Sequence, residues 1–84
     1  MTDLQRRLVI CLSAVFPALS RDEIPRASSE SVEDWNSLAT ATLMALVEEE
    51  FAIPVAPEDL DRFVSFREIL TYLESREVAD SRSS

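Results

Sequence analysis

The stretch EDWNSLATATLMALVEEEF, Glu33 to Phe51, decides the fold. A polar clasp ending in Asn36 and Ser37 runs into a segment without charge, which closes on Glu48, Glu49, Glu50 and Phe51. Asn36 is a strong N-cap residue, because its side-chain oxygen can accept a hydrogen bond from an orphan amide of a first helical turn. The spacing therefore predicts a helix from Ser37 to about Phe51. Leu43, Leu46, Val47 and Phe51 make one apolar face of it, with Phe51 in the core. Leu38, Ala41 and Ala45 make a second, shallower face, open both to the reading of a docking surface and to that of a wide buried stripe.

Upstream, Thr2 and Gln5 fit a capping box for a first helix. Leu4, Leu8, Cys11, Leu12 and Val15 recur at helical spacing and carry that helix to about Phe16. Between the two helices lies a long polar connection, Pro17 to Asp34, of a length uncommon in compact domains unless it serves a purpose. Such a loop also allows the helices on either side of it to run roughly parallel. Ile24, Val32 and Trp35 are the apolar residues expected to pin it to the core.

Downstream, Pro54 is expected to end the second helix. Pro57 suits the first position of a short helical turn, with Glu58 and Asp59 at the positive end of its dipole. The final helix has a capping box in Ser65 and Glu68 and a hydrophobic staple in Val64 and Ile69. Phe66, Ile69, Leu70 and Leu73 form its apolar stripe. No strand-like alternation persists anywhere. The expected architecture is all-α: a small four-helix bundle of three main helices and one short one, with the long loop between the first two. The domain is assigned to residues 1–75, and residues 76–84 to a disordered tail.

Composition excludes much chemistry. The chain has 84 residues, no glycine and no histidine, and all eight of its basic residues are arginine. Glycine-rich phosphate loops are excluded, as are Ser-His-Asp and Cys-His catalysis. The single cysteine, Cys11, allows no internal disulfide and sits on an apolar helical pattern, as a core thiol would. A net charge of −8 argues against binding nucleic acid or an anionic membrane. It suits basic protein partners, and it equally suits solubility alone. Glu58, Asp59 and Asp61 lack the liganding spacing of a calcium loop, so no metal site is expected. No apolar run follows a basic segment, so neither a signal peptide nor a membrane span is expected, and the expected compartment is the cytoplasm.

A helix-start serine that nothing in the chain can activate, set where a phosphate is stabilised, suggests a residue modified by another enzyme. WNSLATATLMALVEEEFAIPVAPEDLDRFVSFREILTYLE resembles the carrier-protein superfamily, the acyl carrier proteins and their aminoacyl and peptidyl relatives. In that family an Asp-Ser-Leu motif opens the second helix. Ser37 and Leu38 match it, EEEF falls at the family's usual distance, FAIPV resembles the stretch that follows in the family, and PEDLDRFVSFREILTYL resembles its short third helix and the opening of its fourth. The resemblance covers about half the chain. It implies 4′-phosphopantetheine, taken from coenzyme A and attached to Ser37, with Asn36 and Leu38 as the flanking motif. It also implies a stand-alone, non-enzymatic carrier of acyl or aminoacyl thioesters. The partners implied are a phosphopantetheinyl transferase, an acyl- or aminoacyl-loading ligase, and a downstream transferase or synthase of a lipid or specialised-metabolite pathway. Asp34, Leu38, Ala41, Met44, Ala45, Glu48 and Glu49 are the implied partner-binding residues, on a protein expected to be monomeric.

The departures from the family pattern are specific. Asn36 replaces the usual Asp, which keeps the cap but removes a negative charge that Asp34 replaces only in part. Ala39, Thr40, Ala41 and Thr42 stand where fatty-acid carriers often place acidic residues, so a dedicated partner reading shape and apolar contact fits better. Ala52 replaces the glycine at the helix end. The alternative reading is an unmodified helical adaptor that retains the fold without the prosthetic group.

Overall fold

The computed structural model describes residues 2–83, with side chains as far as residue 76. Three α-helices carry the fold: α1 (Asp3–Val15), α2 (Ser37–Phe51) and α3 (Phe66–Ser83). Two short 3-10 turns, Ile24–Arg26 and Pro57–Arg62, lie in the connections, and there is no strand among the described residues. The protein is therefore small, mostly helical and all-α, and the Pro57–Arg62 turn is the expected short helix. The expected tail begins at residue 76, within the span of α3; side chains beyond residue 76 lie outside the described residues.

The helix starts follow from local hydrogen bonding. Thr2 and Gln5 form both halves of the capping box, at 3.1 and 2.9 Å. Ser65 Oγ accepts the Glu68 amide at 3.0 Å and so starts α3. Pro57 opens the second 3-10 turn, where its missing N–H costs nothing. Helix α2 ends at Phe51, as its spacing predicts, but the residue that stops it is not Pro54. Ala52 turns into the left-handed region at φ 54°, ψ 41°, and stops the helix two residues before Pro54.

Helices α1 and α2 run antiparallel, not parallel. Arg7, near the start of α1, donates to the Glu50 carboxylate at the end of α2 (2.9 Å), and Phe16, after α1, packs on Trp35, before α2, at 5.0 Å. The long loop thus does not bring the chain back to the start of α1. It caps one end of the core: Ile24 is fully buried and Ala27 nearly so. The loop is also tied to the start of α3, through Ser29 N–H to Val64 O (2.7 Å) and Phe66 N–H to Ala27 O (3.1 Å).

Leu8, Leu12, Ile24, Leu43, Val47, Phe63 and Ile69 are wholly excluded from solvent and form the centre. Burying each such side chain is worth about 1.5–3 kcal/mol relative to exposure. Phe51 is a correction to the expected core: it is half-buried, with the Arg7 guanidinium 4.6 Å from its ring centroid. Tyr72, absent from the expected α3 stripe, is buried beside Leu73.

Candidate functional site

The start of α2 is fixed from both sides. Asn36 sits in extended backbone, and its Oδ1 accepts the Ala39 amide at 2.9 Å. Its carbonyl accepts the Thr40 amide at 2.9 Å, and its own amide donates to Asp34 O, also at 2.9 Å. One residue earlier, the buried Trp35 indole N–H is shared between Thr40 Oγ1 and Phe63 O, both at 3.2 Å. Ser37 follows as the first residue of α2, exposed, with its hydroxyl in no hydrogen bond among the described residues. The amides of Ser37 and Leu38 are first-turn donors without a helical acceptor, available to an oxyanion.

An open groove of about 270 Å³ lies beside Ser37, lined among others by Trp35, Thr40, Leu60, Asp61 and Val64. Its walls mix the apolar Trp35, Leu60 and Val64 with the polar Ser29, Asn36 and Thr40, and its one charged group is the Asp61 carboxylate. Leu60 and Asp61 belong to the Pro57–Arg62 turn, so that turn forms one wall.

The other expected site residues divide in two. Leu38 is 77% exposed, and Asp34, Ala41, Ala45 and Glu49 are exposed, so α2 presents a small-residue and apolar surface to solvent. Met44 is half-buried and packs against the core. Glu48 has an internal role: its carboxylate accepts the Val55 amide at 2.9 Å, satisfying backbone beyond the helix end. Glu50 is bonded to Arg7, which leaves Glu49 as the fully outward member of the acidic trio.

Three residues of this region escape the sequence pattern. Thr40 is buried against Trp35; its spacing to Leu43 and Val47 is the signal that marks its face. Asp61 enters the groove only through the tertiary position of its turn. Tyr72 donates its hydroxyl to Asp59 at 2.8 Å, and burial, followed by that hydrogen bond, raises its pKa above the ordinary value.

Cys11 is a buried free thiol. Burial, then the Glu50 carboxylate, pushes its thiol up to about 11, so it stays protonated near neutrality. Among the described residues, no cluster of His, Cys, Asp or Glu is arranged to hold a metal ion, and no helix is long and apolar enough to cross a membrane. No family model matches the chain, and neither does any curated protein or solved structure compared with it.

Proposed function

We propose that this protein is a carrier whose Ser37 hydroxyl accepts 4′-phosphopantetheine from coenzyme A and which presents acyl or aminoacyl thioesters to partner enzymes. The observation that carries the reading is Ser37 itself: an exposed, unbonded hydroxyl on the first residue of a helix whose start is held by Asn36 and Trp35. The residues present fit the group. The free amides of Ser37 and Leu38 suit its phosphate, and the groove walled by Trp35, Leu60 and Val64 suits a flexible organic arm. When bound, the group supplies a thiol that holds cargo as a thioester. The chain supplies position: Asn36 fixes the helix start, and the exposed Leu38, Ala41 and Ala45 give partners an apolar surface beside the attachment point. Glu49, rather than Glu48, is the residue of the acidic end free to steer a basic partner.

Intact-mass measurement after incubation with coenzyme A and a broad-specificity phosphopantetheinyl transferase tests the proposal. One phosphopantetheinyl addition to the native protein and none to Ser37→Ala is expected. No addition across several transferases, with Asn36→Asp failing to restore it, overturns the proposal and leaves the unmodified adaptor reading.

A further inference from the structure

The Pro57–Arg62 turn forms a wall of the Ser37 groove, yet it buries no side chain of its own. A short 3-10 segment without a buried anchor belongs to the low-stability end of a fold and needs attachment from elsewhere. Its internal bonds are local: Asp59 N–H to Ala56 O at 2.9 Å, with Phe63 N–H to Leu60 O at 3.0 Å closing its end. The turn packs against both α2 and α3, and the residues just outside it, Val55 and Phe63, are buried; the polar attachment of the turn itself comes through one tyrosine of α3. Tyr72 Oη donates to Asp59 Oδ2 at 2.8 Å, and Arg76 Nη2 lies 3.9 Å from the same oxygen. The guanidinium groups of Arg62 and Arg76 stand 4.9 and 4.7 Å from the centroid of the Tyr72 ring. That ring meets Phe63 edge-on at 5.6 Å, and the Phe63 carbonyl accepts the Trp35 indole N–H.

We propose that Tyr72 is a positioning residue for the Ser37 groove, whose hydroxyl latches the Pro57–Arg62 turn to α3 and, through Phe63, keeps Trp35 bonded at the groove floor. The importance of this groove to function rests on the carrier reading; the latch itself does not. When the latch opens, Leu60 and Asp61 leave the groove and the Trp35 N–H loses its Phe63 acceptor, keeping only Thr40 Oγ1. The turn, Phe63 and the Trp35 indole therefore open together, at a frequency set by Tyr72.

Trp35 is the only tryptophan of the chain, so its indole N–H gives a single, assignable signal for hydrogen exchange by NMR. Tyr72→Phe removes the hydroxyl and retains the ring. One hydrogen bond of ordinary net strength corresponds to about a threefold to tenfold rise in the exchange rate of that indole N–H and of the Phe63 amide. Thr2→Ala is the control, since losing the α1 cap lowers global stability by a similar amount without touching the latch. The expected result is acceleration in Tyr72→Phe and an unchanged indole rate in Thr2→Ala. An indole rate unchanged in Tyr72→Phe, or raised alike in both variants, overturns the proposal. The measurement uses the protein without a prosthetic group, so its outcome is independent of whether Ser37 is modified.

Discussion

Replacing Ala52 by glycine is expected to stabilise the protein. Ala52 is the one residue with positive φ among those described, at φ 54° and ψ 41°, and it is exposed, so its methyl group contributes little packing. A residue with a Cβ pays about 1–2 kcal/mol to occupy the left-handed region, because the Cβ crowds the following carbonyl. Glycine escapes that cost but gives the unfolded chain more freedom, a loss of about 0.4–1 kcal/mol. The difference leaves a net gain of about 0.5–1 kcal/mol. For a domain of this size that is roughly 2–8 °C in Tm. Thermal unfolding followed by circular dichroism reads it directly, with Ala52→Val as the opposite arm, since β-branching worsens the same clash and lowers Tm. The contacts that follow the turn, including Glu48 to the Val55 amide, are backbone-directed and stay in place. A glycine variant with unchanged or lower Tm would refute the left-handed cap as the device that ends α2.

Two further perturbations probe the cap and the core. Asn36→Ala should cost about 1 kcal/mol by orphaning the Ala39 amide, whereas Asn36→Asp should preserve stability within a few tenths, both measured by denaturant unfolding. The Cys11 thiol titrates at about 11 when folded against an ordinary 9.0, so the folded state favours the neutral form. That contribution is complete below pH 9 and is lost as pH rises to about 11, on the order of 2 kcal/mol. Stability measured from pH 8 to 11 should fall more steeply for the native protein than for Cys11→Ala.

What was legible in the sequence is what local rules decide. Thr2 with Gln5, Asn36, Ser65 and Pro57 each act within three or four residues, and each starts its element as the pattern predicts. Trp35 and Ile24 were legible as apolar residues stranded in a polar loop, and both are buried. The relations that escaped are settled by distant partners. The antiparallel course of α1 and α2 depends on which ends meet, and the length of a loop does not determine that. Glu48 and Glu50 read alike in an acidic run, but one meets Val55, seven residues on, and the other Arg7, forty-three residues back. Phe51 reads as core by periodicity, and it packs against the core, yet it stays half-buried with Arg7 over its ring.

The candidate site shows why exposure and order are compatible at Ser37. A hydroxyl that must meet an external enzyme cannot be held by its own packing, so its position has to come from the backbone on either side. Here Asn36 fixes the turn that follows, and the Trp35 N–H clamps the residue before the cap to Thr40 and Phe63. Because the Ser37 hydroxyl contributes no hydrogen bond to this frame, Ser37→Ala removes the proposed acceptor and leaves the frame intact. A change at Trp35 does the reverse: it retains the hydroxyl but removes the donor that joins the start of α2 to the end of the second 3-10 turn. The chemistry proposed for this site and the order that positions it therefore reside in different side chains, which is what allows each to be tested without disturbing the other.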